Sequence, residues 1–449
     1  MGRLFGTDGV RGVAGSELTA ELAYSIGRVG AYVLASESSK KPKIVVGKDT
    51  RISGDMLEFS LISGILSVGA EVVRAGVIPT PAIAYLVREK GFDAGVMISA
   101  SHNPFEHNGI KFFNSEGYKL SDDIEERIES IILDNSEEIV CPEGAFLGKS
   151  CEDFSLRDEY IDFAVSTSEN DFSGLTIAID CANGASSFTA EKALKKLGAK
   201  VLVLSNQPDG ININSNCGST HMEALSEFVK ETGADLGVAF DGDADRVLAV
   251  DENGVLVDGD KIMSIIGLDL KNCGKLKKNT VVATVMSNLG FFVMGKENGI
   301  DILKTKVGDR YVLEEMLRGG YSIGGEQSGH VILLEHNTTG DGLVTGIKLI
   351  SVLKKSGKKM SELAGIMQVY PQVLINARVS SVSKYKYDED DEIRREISKI
   401  EEEFSDSGRV LIRPSGTEPL VRVMIEGKDE EVIKRRAQDL AELIERKLG

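Results

Sequence analysis

Three aspartates at alternate positions, Asp241, Asp243 and Asp245, close the apolar run Leu236 to Phe240 and are followed by Arg246. A tight loop with Gly242 inside it can aim three hard oxygen ligands at one point, which suits Mg²⁺. Carboxylates so placed repel one another unless a cation sits between them, so the segment reads as a divalent-metal site with Arg246 facing a bound phosphate. A solvated acidic turn and a calcium loop are the competing readings, although the twelve-residue spacing and terminal glutamate of an EF-hand are absent.

A second set of capable residues surrounds Ser101, in Ser99-Ala100-Ser101-His102-Asn103-Pro104. It follows a buried-looking strand, and the loop is expected to expose one hydroxyl at the edge of a sheet. Taken alone it reads equally as a structural turn, because Ser, Asn and Pro are common turn residues. Serine is a weak nucleophile at neutral pH, but a phosphoserine beside a divalent cation is a competent phosphoryl donor. His102 is discounted as a base, since side chains adjacent on an extended segment point opposite ways. Lys111 and His330 are the better candidates for acid and base, although a lone lysine in Asn108-Gly109-Ile110-Lys111 also reads as a solvated surface residue.

Two further loops can handle a sugar phosphate. Glu326, Ser328 and His330 alternate through a glycine-rich stretch and offer donors and acceptors to vicinal hydroxyls, with a polar hairpin as the alternative. Arg413-Pro414-Ser415-Gly416-Thr417 combines a bidentate cation, two hydroxyls and flexible backbone, the chemistry that grips a non-reacting phosphate. Arg11, in Gly6-Thr7-Asp8-Gly9-Val10-Arg11-Gly12, sits in a glycine-rich anion nest or on the surface.

The elements that must position these residues form an internal repeat of strand, helix, glycine and strand, ending each time in a polar loop. The first copy starts at Ile44-Val45-Val46, has a helix around Met56 to Val68, breaks at Gly69, and closes with Ala94 to Ser99 feeding Ser101. The second starts at Thr176, has a helix around Ala190 to Leu197, breaks at Gly198, and closes with Leu236 to Phe240 feeding the aspartates. The third starts at Thr280, has a helix near Phe291 to Glu297, breaks at Gly299, and closes with Tyr321 to Ile323 feeding Glu326 to His330. Each glycine is expected to be a left-handed helix terminator. Ligands bind beyond the carboxyl ends of strands in open α/β sheets, so three equivalent loops are expected to share one cleft. The remainder, with strands near 372–375, 410–412 and 421–424 around an acidic helix from Asp388 to Phe404, reads as an α+β domain.

Composition bounds the reading. A chain of 449 residues calls for roughly three or four domains. The 70 acidic against 52 basic side chains give a net charge of −18, which argues against a nucleic-acid or anionic-membrane partner. Five cysteines without C-x-x-C spacing disfavour a disulfide framework or a zinc site. The absence of an apolar leader or a membrane-length run leads to the expectation of a cytoplasmic protein.

These four motifs, Ser99 to Pro104, Asp241 to Arg246, Gly324 to His330 and Arg413 to Pro419, together resemble the α-D-phosphohexomutase family along essentially the whole chain. Gln327, the opening Phe5 to Gly12, Ser99, and Asn337-Thr338-Thr339-Gly340-Asp341-Gly342 resemble its bacterial glucosamine-phosphate branch; the mannose and glucose branches tend to carry another residue at Gln327. The resemblance implies an α/β fold of three related α/β/α domains plus a C-terminal α+β domain around a central cleft. The expected domains are 1–155 with the phosphoserine loop, 156–252 with the Mg²⁺ loop, 253–369 with the sugar loop and 370–449 with the phosphate loop.

It further implies that Ser101 is the phosphoserine and a metal ligand with Asp241, Asp243 and Asp245, and that Arg11, Lys111 and Arg246 surround the transferring phosphate. Glu326, Ser328 and His330 then read the sugar, while Arg413, Ser415, Gly416, Thr417 and, on the next strand, Arg422 hold the distal phosphate. The implied reaction is isomerisation of glucosamine 6-phosphate to glucosamine 1-phosphate through a 1,6-bisphosphate, supplying amino-sugar nucleotides for cell-wall precursors. The fourth domain is expected to close over the substrate, and a homodimer is allowed. The alternatives are a mannose or glucose mutase of the same family, a phosphatase using Asp241 as nucleophile, and a non-catalytic sugar-phosphate sensor.

Overall fold

The computed structural model describes the chain except residues 1, 2, 7, 36–40, 381, 406, 407, 416 and 417. It divides into two compact units, residues 1–286 with 300–366, and residues 287–299 with 367–449. Among the described residues no helix is long and apolar enough to cross a membrane. All five cysteines are free thiols.

The first unit contains three sheets of one plan. In the first, Lys43–Lys48 lies parallel between Glu71–Val77 and Ala94–Ile98, and Ala94–Ile98 pairs antiparallel with His107–Asn114. In the second, Thr176–Asp180 lies parallel between Lys200–Leu204 and Leu236–Phe240, and the latter pairs antiparallel with Val247–Asp251. In the third, Thr280–Thr284 lies parallel between Asp301–Thr305 and Ile323–Gly325, which pairs antiparallel with Val331–Leu333. The loops bearing Ser101, the three aspartates and Glu326 to His330 therefore occupy one topological position, the turn from the third parallel strand to its antiparallel neighbour.

Local sequence accounts for this plan. Ala94–Ile98 and Leu236–Phe240 are buried at every position, as small and apolar runs must be when both faces of a sheet are covered. Gly69, Gly198 and Gly299 have φ of +86°, +90° and +61°, the left-handed geometry that ends a helix without a Cβ clash.

A hairpin at 251–254 keeps Leu256–Val257 on the edge of the second sheet. Two expectations are corrected. The third copy's closing strand begins at Ile323 rather than Tyr321. The third copy's helix, Leu289–Glu297, belongs to the second unit. There Asn288 bonds both the N–H and the carbonyl of Tyr370, each at 2.9 Å, and Leu289 N–H donates to Glu426 at 3.1 Å. Buried polar ties of this kind hold the helix to the C-terminal chain.

The rest of the second unit is a three-stranded antiparallel sheet in the order Gln372–Arg378, Leu420–Gly427, Gly408–Pro414. Helices Asp391–Phe404 and Glu430–Leu448 bury Ile393, Ile400, Ile433 and Ile444 with Val423 and Ile425 of the central strand.

Candidate active site

The serine loop is held from behind. The buried Arg51 guanidinium donates to the carbonyls of Ser101 (2.9 Å), Asn103 (2.8 Å), His107 (3.0 Å) and Pro104, and pairs with Asp49 at 2.9 Å. Asp49 also accepts the Ser99 hydroxyl at 2.6 Å, and Ser99 Oγ accepts the Ser101 N–H at 2.9 Å. Asn214 adds a donor to the Ser101 carbonyl at 2.8 Å. These contacts sustain a φ of +53° at Ser101, a left-handed conformation that costs a non-glycine residue roughly 1–2 kcal/mol and concentrates at functional sites.

That backbone overturns two expectations. Ser101 is not exposed: it is 1% accessible, and its hydroxyl donates to Asp241 Oδ2 at 2.6 Å. Nor does His102 point away, since its Nδ1 lies 3.2 Å from Ser101 Oγ. The extended geometry that separates adjacent side chains does not hold at a left-handed residue. Burial first, then Arg246 and Arg11, pull the His102 imidazole down to about 4, so the ring is neutral at physiological pH.

The acidic loop meets this hydroxyl. Carboxylate oxygens of Asp241, Asp243 and Asp245 lie within 4.8 Å of one another, and all three residues are buried. Among the described residues, Asp243 Oδ1 and Asp245 Oδ1 are buried and accept no hydrogen bond. Orphaned oxygens converging on one another are the donor set of a hard divalent cation, so these residues fit a metal. Burial, with Asp245 and Asp243 nearby, pushes the Asp241 carboxyl well up. At Asp245 burial acts upward, but His330, Lys111 and Arg246 outweigh it and hold the carboxyl down.

Cations line the other side. Lys111, on strand His107–Asn114, donates to Asp243 Oδ2 at 2.9 Å, as does Thr80 at 2.5 Å. Burial disfavours its charge, but Asp243 and Asp8 overcome this and raise it, so Lys111 is a buried ammonium rather than a surface lysine. Arg11 pairs with Asp8, and Arg246 Nε stands 3.8 Å from Asp245. Their side chains are 27% and 23% exposed, yet both Nε atoms are buried and without a hydrogen-bond acceptor among the described residues. Two guanidinium Nε donors left without acceptors, on arginines whose charge reaches His102 next to Ser101, form a receptor for an oxyanion.

The third loop joins through His330, whose Nδ1 is 3.5 Å from Asp245 and whose Nε2 accepts Gly340 N–H at 3.1 Å. Burial lowers this imidazole, but Asp245 and Asp309 more than compensate and keep it raised. Glu326 accepts Gly308 N–H at 3.1 Å, and Ser328 is exposed. In the second unit Arg413 and Arg422 face each other across paired strands; burial and then Arg422 lower Arg413. Like charges directly opposite on a sheet repel, so the pair favours an anion. Ser415 Oγ accepts Glu418 N–H at 3.2 Å, and Gly416 and Thr417 lie outside the described residues.

The sequence matches the four segments described as "Phosphoglucomutase/phosphomannomutase", namely alpha/beta/alpha domain I over residues 2–139, domain II over 158–254, domain III over 258–370 and the C-terminal domain over 374–443. The chain belongs to the phosphoglucomutase/phosphomannomutase family. Among its relatives are the phosphoglucosamine mutases of Acetivibrio thermocellus, 66% identical, and Ruminiclostridium cellulolyticum, 63% identical, each over 449 residues and 100% of both chains. The fold is shared with a Burkholderia thailandensis phosphoglucomutase/phosphomannomutase family protein, with a TM-score of 0.83 at 24% identity over 99% of this chain and 97% of that one. It is shared also with the Aspergillus fumigatus N-acetylphosphoglucosamine mutase solved with GlcNAc-6P and magnesium, with a TM-score of 0.70 at 16% identity over 99% and 96%.

In this member of the family, sequence reasoning passed over Arg51, Asp49, Thr80, Lys119 and Asp309, because none sits in a chemically suggestive run, and took in Asp8 only as part of the glycine-rich nest around Arg11. The stretch Asn337 to Gly342, noted only as a marker of the glucosamine branch, holds His330 through Gly340; Asn337 is itself fixed to Pro81 and Asp341, each at 3.0 Å.

Proposed function

We propose that the chain is a phosphoglucosamine mutase, interconverting glucosamine 6-phosphate and glucosamine 1-phosphate through phospho-Ser101 and an enzyme-held 1,6-bisphosphate. The reading is carried by one observation: the Ser101 hydroxyl lies 2.6 Å from an acid of a buried three-carboxylate cluster, and the charges of Arg11 and Arg246, each with an unpaired buried Nε, reach the adjoining His102. The 60–66% identity to phosphoglucosamine mutases over the whole chain supports the choice of hexosamine.

Asp241, Asp243, Asp245 and the phosphorylated Ser101 would hold the metal, which we take to be Mg²⁺, the ion of the Aspergillus structure. Bound there, the ion neutralises charge on the transferring phosphoryl oxygens. Ser101 accepts and returns the phosphoryl group, each transfer leaving the donor oxygen with the proton that the accepting hydroxyl gives up, and Asp241, which accepts the Ser101 hydroxyl, orients that oxygen. Arg11 and Arg246 orient the oxyanion. Lys111, held as a cation, serves as an acid and fixed charge rather than a base, while His330, whose Nε2 accepts the Gly340 N–H, is assigned to acid and base work through Nδ1. Little base strength is needed in a loose phosphoryl-transfer transition state, where positioning and charge dominate. Glu326, Ser328 and His330 are assigned to the sugar, and Arg413, Ser415, Gly416, Thr417 and Arg422 to the non-reacting phosphate.

The test is turnover of glucosamine, glucose and mannose 6-phosphates, with mass spectrometry of the purified protein. Glucosamine 6-phosphate should have the highest kcat/KM, and a phosphate should map to Ser101 and vanish, with activity, in Ser101→Ala. Full activity in Ser101→Ala would transfer the nucleophile role to Asp241; a preference for mannose or glucose phosphate would move the chain to another branch of its family.

A further inference from the structure

The charged groups around the acid cluster continue into a series of contacts in which carboxylates alternate with basic side chains. Lys111 Nζ lies 2.9 Å from Asp243 and 2.9 Å from Asp8. The other oxygen of Asp8 is 2.5 Å from Lys119 Nζ, and Lys119 is 2.6 Å from Asp309. Asp309 lies 3.7 Å from His330 Nε2, and His330 Nδ1 lies 3.5 Å from Asp245. The series Asp243, Lys111, Asp8, Lys119, Asp309, His330, Asp245 thus leaves the acid cluster and returns to it.

Lys119 is the middle of this series and lies in none of the family's four motifs. It follows the strand that carries Lys111 and is largely buried, its side chain 22% exposed. Its ammonium is shared by two carboxylates from segments some 300 residues apart, one beside Arg11 and one beside His330. Without that charge, Asp8 and Asp309, which both contact the same ammonium, face each other at low dielectric and repel. Among the described residues Asp8 then has Arg11 and Lys111 to neutralise it, and both are pulled toward it, Lys111 away from Asp243.

We propose that Lys119 is a positioning residue for phosphoryl transfer: by bridging Asp8 and Asp309 it keeps Arg11 and Lys111 directed at the reacting phosphoryl group and fixes the Asp309 side of His330. This rests on the mutase reading above and adds a residue to it. Lys119 does not touch the reacting atoms; it sets the geometry of those that do.

Lys119→Met, Lys119→Arg and the double variant Lys119→Met/Asp309→Asn are compared with the wild type for kcat, KM, thermal unfolding, and transfer of labelled phosphate from glucose 1,6-bisphosphate to Ser101. Lys119→Met should lose about 100-fold in kcat, the scale of ~1 Å of misplacement, with KM changed by less than about three-fold. Lys119→Arg, which keeps the charge and can bridge both carboxylates, should recover kcat to within about ten-fold of wild type. The double variant, which removes the unpaired buried carboxylate, should regain stability but not kcat. The inference is overturned if Lys119→Met keeps wild-type kcat and labelling rate, or if the double variant regains both stability and kcat, since a purely structural lysine predicts that pattern. If the wild type turns over no hexosamine phosphate but accepts label on Ser101, the substrate reading fails and the labelling rates still decide the role of Lys119.

Discussion

Gly242 is where the loop of aspartates touches the loop of Ser101, and replacing it by alanine measures how closely that spacing is set. A Cβ at Gly242 would lie 2.5 Å from the Ser101 carbonyl oxygen and 2.9 Å from both Asn214 Nδ2 and Ile213 Cδ1. Ordinary contact begins near 3.4 Å, so about 0.9 Å must be found. Gly242 is not among the positive-φ glycines, so alanine meets no backbone penalty there and the perturbation is steric alone. The Ser101 carbonyl cannot retreat, because Arg51 and Asn214 hold it at 2.9 and 2.8 Å. The acidic loop must therefore move away from the serine. A displacement of ~1 Å costs on the order of 100-fold in rate, or ~2.7 kcal/mol in the transition state. Overpacking by one methyl costs about 1–3 kcal/mol of stability, which a folded domain with 5–15 kcal/mol in hand tolerates. The assay is kcat with glucosamine 6-phosphate beside a thermal melt and a Mg²⁺ titration. Gly242→Ala should stay folded while kcat falls about 100-fold. Wild-type kcat with unchanged metal affinity would refute the claim that the two loops must meet at this distance.

Other outcomes follow from the same geometry. Arg51→Lys replaces five hydrogen bonds by at most three; the loss of two or more charge-assisted bonds should cost ~3–6 kcal/mol, read by urea unfolding, with less phosphate found on Ser101. Chelation should abolish turnover and lower the melting temperature, while Mg²⁺ at ~100 times its Kd should restore ~2.7 kcal/mol to the wild type and nothing to Asp243→Ala. Burial, then Lys348, depresses the His336 imidazole from 6.5 to about 4. The unfolded chain binds a proton in that window that the folded chain refuses, so this contribution is fully present above pH 6.5 and lost as pH falls toward 4. His336→Gln should flatten the acid limb of a stability–pH curve measured by denaturant unfolding; an unchanged limb would remove His336 as its source.

Much of the architecture was legible in the chain itself. Runs such as Leu236 to Phe240 are apolar at every position because both faces of the sheet are covered, and the glycines at 69, 198 and 299 mark left-handed helix ends. Local chemistry of this kind repeats, which exposed the three copies and the shared position of their loops. The nucleophile and the acids were legible for the same reason, since a serine loop and an Asp-x-Asp-x-Asp run occupy equivalent strand ends.

What the sequence could not declare were interactions whose partners are far apart. Lys119 and Asp309 are single charges in a chain with 122 acidic and basic side chains, and nothing local distinguishes them. Their meaning comes from burial, which makes each pairing strong and each unpaired group costly. The orientation of Ser101 and His102 was also misread, because periodicity assumes extended backbone and a φ of +53° departs from it. Sequence alone determined which residues could do the chemistry and which strands would carry them. Tertiary structure decided which carboxylate meets which cation, because close pairing at low dielectric is a property of folded space rather than of order along the chain.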